Sequence, residues 1–540
     1  MLPPGLRTPR EVVLYYDQVY FDLVDSGRAH QFLYPWGAAG AVLILAYLLL
    51  DHRNSRLLQW CRFPVFGAFS AFQSWCIFTN RARSPASAFG VGLISSWGWL
   101  WVSAIMVVND CQVDFKRIER AIIGPGSKNE REHPHRHGAN GSVESAPEDD
   151  TLRQRKAVER PDDPSRAEPH SVQYFWQAYP SAPFLVRLDW VADVFCSFRG
   201  VGWDWQTAGV PPPPKSVEVG LRGEVPDPSK DEEFTTSRTG IRRYAHRGAL
   251  LRHSFTSLAI GYLALDALKT FMHQDPYFWG YTDSPAPVFM PTVVRDSYFL
   301  TKTYRLLLSL AAIYFALWTI FKLGPAFFCG ILGPKWIGVR GEPWMNPADS
   351  FGSFMPVLDK GLAGWWGGWW HQTFRFAFES PAARLTEALG ISKRSTIGRL
   401  LSLFIAFFLS GCLHACGSYT QLGETRPVLG PMRFFILQAV GISMQTLGVQ
   451  QLKRAGIIER CPKALCQLTN LVVVHVWLYY TAPLLVDDFA KGGVWLFEPV
   501  PFSLFRGLGL GAPDDGWFCL SHGVAWWHSG KAIFDTGIAL

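Results

Sequence analysis

Residues 403–418 read Leu-Phe-Ile-Ala-Phe-Phe-Leu-Ser-Gly-Cys-Leu-His-Ala-Cys-Gly-Ser, an apolar run that carries one histidine, His414. With its flanks the run is long enough to cross a membrane, which takes about 20 predominantly apolar residues. An ionisable side chain inside such a helix is costly to bury and is therefore a candidate functional residue. The segment predicts a membrane-embedded helix with a reactive group on one face.

The neighbours of His414 on a helix lie three and four residues to either side of it. They are Ser410, Gly411, Gly417 and Ser418, all of them small. This pattern predicts a notch in the helix surface where a substrate reaches the imidazole. The alternative is a structural histidine in a close helix–helix contact, since small residues also mark such interfaces.

The whole chain has the composition of a membrane protein. Of its 540 residues, 49% are hydrophobic and 18% charged, and 23 are Trp and 39 Phe, whereas soluble domains carry about 25% charged residues. We expect an all-α integral membrane protein with about eight to ten membrane-embedded helices around an intramembrane catalytic chamber. Apolar runs lie at 32–50, 88–108, 298–323, 400–419, 431–449 and 467–486, with weaker ones at 63–80, 250–272 and 357–378.

Charge and composition also divide the chain. Residues 124–170 are rich in Pro, Ser, Asp, Glu, Arg and His, and predict a disordered polar loop. We therefore expect N-terminal transmembrane helices in residues 1–123 and a catalytic core in residues 171–540. The net charge of +7 favours contact with anionic headgroups or phosphorylated ligands, and we expect no nucleic-acid partner.

A second candidate histidine follows a tryptophan-rich segment. Residues 364–375 read Gly-Trp-Trp-Gly-Gly-Trp-Trp-His-Gln-Thr-Phe-Arg. On a helix, Gly367, Gly368 and Arg375 would share one face with His371 and open the surface beside it. The alternative is an interfacial tryptophan anchor with an incidental histidine.

His475 serves as a contrast, because its neighbours at helical spacing are bulky and predict a packed or interfacial ring. They are Leu471, Val472, Leu478 and Tyr479. The Cys412-x-His414-x-Cys416 spacing predicts no metal site, since alternate residues on a helix are about 200° apart.

Two other functions, an intramembrane prenyltransferase and a transporter, are alternatives to compare with the sequence. The pairs Asp110 with Asp114 and Asp189 with Asp193 superficially resemble the magnesium-binding clusters of intramembrane prenyltransferases, although their spacing differs. A transporter would show paired repeats with broken helices or rings of intramembrane charge, and the sequence shows neither.

The two histidine segments together resemble the membrane-bound O-acyltransferase superfamily, and more narrowly its wax-synthase-like branch of the fungal secondary-metabolite acetyltransferase type. The resemblance covers roughly residues 170–530. Further motifs that carry it are Arg187–Leu188–Asp189–Trp190, Arg199 to Trp205, Asp275–Pro276–Tyr277–Phe278 and Phe351–Gly352–Ser353.

The resemblance implies an acyl-CoA donor, in particular acetyl-CoA, and a lipophilic terpenoid or meroterpenoid alcohol as acceptor. It implies a multi-pass protein of the endoplasmic reticulum that uses no metal or further cofactor, and the wax-ester synthesis of long-chain alcohols remains an alternative. His414 is expected to be the principal catalytic residue and His371 its partner. We expect substrate contacts from Trp370, Gln372, Arg375, Ser410, Gly411 and Ser418, and contacts to the CoA phosphates from Lys393, Arg394 and Arg399 or from Lys453 and Arg454.

Overall fold

The computed structural model describes residues 2–123, 171–512, 515–520 and 525–540. Its N-terminal part contains helices α1 (Pro9–Asp25), α2 (Ala39–Leu48), α3 (Arg56–Thr79), α4 (Pro85–Val102) and α5 (Cys111–Asp114). Its remaining helices are α6 (Phe184–Cys196), α7 (Lys215–Leu221), α8 (Arg247–Met272), α9 (Thr292–Arg295), α10 (Tyr298–Pro325), α11 (Gly333–Ile337), α12 (Met355–Lys360), α13 (Leu362–Gly364), α14 (Arg375–Ala388), α15 (Thr396–Tyr419), α16 (Arg433–Arg454), α17 (Ile457–Arg460), α18 (Lys463–Thr481), α19 (Pro483–Lys491) and α20 (Leu504–Gly507).

The architecture is that of a multi-pass membrane protein. Within the described ranges, five helical segments are long and apolar enough to cross a membrane: Pro85–Val108, Tyr298–Gly341, Thr396–Tyr419, Val428–Arg454 and Lys463–Lys491. A shorter apolar helical segment, Trp36–Leu48, does not reach that length. The expected all-α membrane fold is confirmed.

The strands are short and lie outside the helical body. They are β1 (His30–Gln31), β2 (Leu33–Tyr34), β3 (Asn80–Arg81), β4 (Arg117–Ile123), β5 (Ser171–Gln177), β6 (Phe234–Thr236), β7 (Arg242–Tyr244), β8 (Trp526–His528) and β9 (Gly537–Ala539). β4 pairs antiparallel with β5, so that Arg117 faces Gln177 and Ile123 faces Ser171. The polar loop expected at 124–170 lies outside the described residues.

Helix α15, which carries His414, begins at a conventional cap and packs along α4. The hydroxyl of Ser395 accepts a hydrogen bond from the backbone N–H of Gly398, a group that the first turn of a helix leaves without a partner. A Cβ atom at Gly92 of α4 would collide with the carbonyl of Cys416, so only glycine permits this approach of the two helices. The Thr420 hydroxyl donates to the carbonyl of Ala88 at 2.6 Å and fixes the register.

The N-terminal helices and the later part of the chain share an apolar core. Trp97 and Trp101 of α4 pack in one buried cluster with Trp190 of α6, Ala377 of α14 and Leu413 of α15. The domain boundaries of the sequence analysis stay a prediction, but the packing of α15 depends on helices from both sides of residues 124–170.

The apolar run at 357–378 is not one helix, which corrects the expectation of a spanning segment there. α12 and α13 are separated at Gly361, whose φ of 59° lies in the left-handed region that glycine tolerates. α13 continues as a π turn over Trp365–Trp369, and the chain then leaves the helix at Trp370 with φ −63° and ψ 150°. His371 therefore lies in an extended connection before α14.

Candidate active site

His414 presents a free ring nitrogen to the interior of the protein. Its Nδ1 lies 2.9 Å from the carbonyl oxygen of Ser410, one turn earlier on α15. A carbonyl can only accept, so this hydrogen bond places the proton on Nδ1 and leaves the lone pair on Nε2. The ring stands 4.4 Å from that of Phe435 on α16, which holds its plane. The tautomer is the one that a general base requires.

His371 stands among aromatic rings. Its ring centroid lies 5.8 Å from that of Phe351, 5.7 Å from that of Trp370 and 5.6 Å from that of Phe374. Burial lowers the pKa of His371 to about 3, with the imidazole of His414 as a further cause, so the ring is neutral at pH 7. Its buried Nδ1 has no hydrogen-bond partner among the described residues, which leaves it available to a bound substrate.

The side chain of Gln372 fixes the backbone on either side of His371. Its amide N–H groups donate to the carbonyls of Trp366, at 2.8 Å, and Trp370, at 2.6 Å. Its amide oxygen accepts from the guanidinium of Arg375 at 3.1 Å. These carbonyls lie at the end of a helix, where intrahelical donors are missing. Gln372 is thus a positioning residue, whereas the sequence analysis expected it to contact the substrate.

Arg375 does not share a helix face with His371, contrary to the expectation, because it begins α14 after the extended connection. Its Nε donates to the carboxylate of Glu379 at 2.7 Å. Both side chains line the same cavity as the two histidines.

That cavity has a volume of about 1090 Å³ and is walled mainly by apolar and aromatic side chains of α8, α10, α15, α16 and α18. His371, His414, Ser410, Trp370, Gln372 and Arg375 all line it. The structure thus brings together six of the eight residues that the sequence analysis named as catalytic residues or substrate contacts. A chamber of this size and polarity suits a lipophilic ligand.

Gly411 and Ser418, the other two, serve helix packing rather than the notch that we expected. A Cβ atom at Gly411 would lie 2.6 Å from the sulfur of Met432, so this position is closed by the chain entering α16. Ser418 is completely buried, and its hydroxyl neighbours the Asp488 carboxylate. Of the small residues near His414, Ser410 thus lines the cavity, whereas Gly411 and Ser418 lie in packing contacts.

The cavity reaches the outer surface of the helical body between α10 and α18. Phe299, Val476 and Tyr480 line it, and 59%, 52% and 72% of their surfaces are exposed. His475 also lines this rim and is exposed. The ring is therefore not packed inside the protein and borders the chamber, and its place at a membrane interface stays a prediction.

The carboxylates of the prenyltransferase hypothesis are neutralised elsewhere. Asp110 contacts His52 at 2.9 Å and Arg62 at 3.1 Å. Asp189 and Asp193 both contact Arg117, at 2.5 and 3.1 Å. None of these three carboxylates lines the cavity that contains the two histidines.

Two of the shorter motifs meet around His371. The Arg199 guanidinium donates to the carbonyl of Asp349 at 2.9 Å. The backbone N–H of Gly352 donates to the carbonyl of Trp369 at 2.8 Å, and Phe351 stacks edge-on against Trp370. The Phe351–Gly352 segment thus packs against the end of the π turn at Trp365–Trp369.

Sequence reasoning missed Lys269, a buried lysine of α8 whose side chain lines the cavity. The signal was present, because Lys269 falls inside the apolar run at 250–272.

Comparison with known proteins agrees with this site. Residues 347–437, which include both His371 and His414, match the sequence model of the "Membrane bound O-acyl transferase family". A protein named O-Mevalon transferase, from Aspergillus niger, is 26% identical over 284 residues, which cover 49% of this chain and 54% of that protein. No solved structure matches the chain.

Two proteins named as acetyltransferases are also similar. One, from Calcarisporium arbuscula, is 27% identical over 307 residues, which cover 56% of this chain and 66% of that protein. The other, from Aspergillus fumigatus, is 24% identical over 340 residues, which cover 61% and 71%. The chain thus spans between half and two thirds of the length of the first two relatives.

The segment that carries both histidines is thus similar to the membrane-bound O-acyltransferase family. The relatives compared with the whole chain are fungal proteins named as acetyltransferases and as an O-mevalon transferase.

Proposed function

We propose that this protein is an acyl-CoA-dependent O-acyltransferase that esterifies a hydroxyl group of a lipophilic acceptor. The observation that carries the proposal is the His414 imidazole, whose Nε2 lone pair is free and whose ring lines an apolar chamber together with His371. Alcohols are poor nucleophiles until a base takes their proton, and histidine is the usual base for this step.

The reaction balances with these two residues. Nε2 of His414 takes the proton of the acceptor hydroxyl as its oxygen attacks the thioester carbonyl. A carbon–oxygen bond forms, the carbon–sulfur bond breaks, and the proton passes from His414 to the leaving thiolate of CoA. The neutral His371 ring is positioned to donate a hydrogen bond to the oxyanion that develops on the carbonyl. The apolar wall keeps water from competing for the acyl group.

Cationic side chains at the far end of α15 support a CoA donor. Lys393 and Arg399 line the cavity near the start of the helix. Arg399 lies 15 residues before His414, which corresponds to about 22 Å along a helix. The extended pantetheine arm of CoA has a similar length, so phosphates bound at Lys393 and Arg399 would leave the thioester near His414. Arg394, Lys453 and Arg454 lie outside the cavity wall and are less suited to this contact.

The acyl group and the acceptor are inferred from the relatives. Two of those compared are named acetyltransferases and one an O-mevalon transferase. We propose acetyl-CoA as donor and a terpenoid or meroterpenoid alcohol as acceptor, in the membrane of the endoplasmic reticulum. The opening toward the outer surface between α10 and α18 gives such an acceptor a path from the bilayer.

The test is acyl transfer by membranes that contain the protein. Labelled acetyl-CoA, longer acyl-CoAs and a prenyl diphosphate are each supplied with a panel of lipophilic alcohols, with and without EDTA. We expect ester formation from acetyl-CoA, unaffected by EDTA and by Asp110→Asn or Asp193→Asn. Consumption of the prenyl diphosphate with loss of activity in EDTA would establish a prenyltransferase instead, and preference for long acyl chains would indicate wax-ester synthesis.

A further inference from the structure

The cavity contains a cation at the end opposite to Lys393 and Arg399. Lys269 lies in the last turn of α8, is 4% exposed and lines the cavity. Its ammonium donates to the backbone carbonyl of Trp495. An ammonium group has three N–H donors, so this bond leaves two of them for another ligand.

The carboxylate nearest in sequence does not neutralise Lys269. Asp266, one turn earlier, is completely buried, and its two oxygens accept from the Ser503 hydroxyl and from the backbone N–H groups of Leu504, at 2.7 Å, and Phe505, at 3.2 Å. The Asp266 carboxylate thus accepts hydrogen bonds from the residues at the start of α20.

Glu498 is the other carboxylate in this region, and it is also occupied. Its oxygens accept from the guanidinium of Arg506 at 3.0 and 2.8 Å, and Oε1 lies 2.6 Å from Nε2 of His273. Among the residues that the structure describes, no carboxylate forms an ion pair with Lys269. The Lys269 charge is not isolated, since it is a main cause of the lowered pKa of Glu498. What remains for a ligand is its hydrogen-bonding capacity, because two N–H donors of a buried ammonium in the chamber wall have no partner among the hydrogen bonds of the described residues.

A chain of aromatic contacts places Lys269 beyond His414 as seen from the donor end. Gly417, three residues after His414, packs against the ring of Phe89. Phe89 contacts Phe489 at 5.2 Å between centroids, and Phe489 contacts Trp495 at 5.6 Å. Trp495 provides the carbonyl that binds Lys269. The space between the histidines and this lysine is thus open to the acceptor of the proposed reaction.

We propose that Lys269 binds a second oxygen of the acceptor, a carbonyl or carboxylate remote from the hydroxyl that is acylated. The inference rests on the proposed function and makes it more specific, because it selects oxygenated polycyclic alcohols over plain hydrocarbon alcohols. A hydroxyl-bearing skeleton held at both ends presents one hydroxyl to His414, so the lysine also sets which hydroxyl reacts.

The first test needs no mutation. Wild-type membranes are given acetyl-CoA with a rigid polycyclic hydroxy-ketone, a hydroxy-acid of the same skeleton, and the alcohol that lacks the second oxygen. We expect kcat/KM to be at least about tenfold higher for the oxygenated acceptors, mainly through KM, since a hydrogen bond to a charged donor is the stronger kind. Equal kcat/KM for all three overturns this inference and leaves the proposed function intact, whereas no transfer to any alcohol overturns both.

The second test is Lys269→Met, which keeps the length of the side chain and removes the charge. The ratio of kcat/KM between oxygenated and plain acceptors should fall by about tenfold. If the Lys269 charge mattered only to Glu498 and the fold, its loss would lower the Tm without changing that ratio. The control Lys360→Met, at an exposed lysine of α12 outside the cavity, should leave the ratio unchanged. An unchanged ratio in Lys269→Met, or a lowered Tm with all acceptors affected equally, assigns the lysine to the fold alone and refutes the proposal.

Discussion

His414 and His475 each lie within an apolar helix, and both rings form the same kind of hydrogen bond to the preceding turn. Nδ1 lies 2.9 Å from the carbonyl of Ser410 in the first and 2.8 Å from that of Leu471 in the second. Both rings therefore keep the lone pair on Nε2. They differ in their surroundings: His414 is enclosed among the aromatic side chains of α15 and α16, whereas His475 lies on the exposed rim between α18 and α10.

The comparison shows that the tautomer alone does not define a catalytic histidine. A helix supplies the Nδ1 bond to any histidine whose ring turns toward the preceding carbonyls. What distinguishes His414 is its enclosed position and the proximity of His371, whose pKa the His414 imidazole helps to lower, whereas His475 is exposed at the rim. The predictions below test whether this difference in surroundings is the difference in function.

The substitution with the largest expected effect is His414→Ala. If His414 is the base, kcat should fall by about 10² to 10⁴-fold, the usual range for a general base. The Tm of the purified protein should change little, because the ring lines an open chamber and its loss leaves no new closed void. Near-normal turnover of the purified variant would falsify the assignment and remove the distinction from His475.

His371→Ala is expected to lower kcat by about 10²-fold, the lower end of the range for one oxyanion donor, with little change in KM for acetyl-CoA. His371→Gln, which keeps a hydrogen-bond donor, should recover part of the loss. His528→Ala, at a histidine outside the cavity, is the control. A rise in KM at constant kcat would instead make His371 a binding residue, and His414 would act alone.

Gln372→Leu should lower kcat by about tenfold and destabilise the protein by about 1–3 kcal/mol, because two buried carbonyls lose their donors and His371 loses its fixed position. The measurement is kcat together with thermal unfolding in detergent. The control Gln467→Leu removes an exposed hydrogen bond to Asp359 and should change neither quantity much. An unchanged kcat would show that the rings around His371 hold it without the amide.

The smallest effect is expected from His475→Ala. Its ring is exposed, so kcat should remain within about twofold of the wild type, as for most surface substitutions. Because His475 borders the opening between α10 and α18, any effect should appear in KM for the acceptor and not in kcat. If His475→Ala lowered kcat nearly as much as His414→Ala, His475 would itself be a catalytic residue, and this comparison would fail.

The sequence was sufficient for the helix of His414, because a long apolar run and an isolated ionisable residue are local properties. It was not sufficient for the connection that carries His371. Hydrogen bonds from the Gln372 amide and the Gly352 N–H hold the π turn at Trp365–Trp369 and the break at Trp370. The spacing of apolar residues does not reveal such hydrogen bonds. The pattern favoured one helix over 357–378 for that reason.

The small residues near His414 show a second limit of prediction from the sequence. Ser410 borders the cavity, while Gly411 packs against Met432 and Gly417 against Phe89. A small side chain permits close approach by a substrate or by another helix, and spacing on one helix cannot tell which of them comes near. Lys269, by contrast, is an ionisable residue inside the apolar run at 250–272, which is the same local pattern that singles out His414.

The strand pair β4–β5 has a practical consequence for experiments on this protein. Its terminal residue pair, Ile123 with Ser171, holds the two ends of the intervening segment side by side. A fluorescent domain whose own termini are close could therefore replace that segment without spreading the strands, since insertions succeed where the flanking backbone is already held together. Such a fusion would report the protein's location in living cells while leaving α4, α15 and the chamber between the helices untouched.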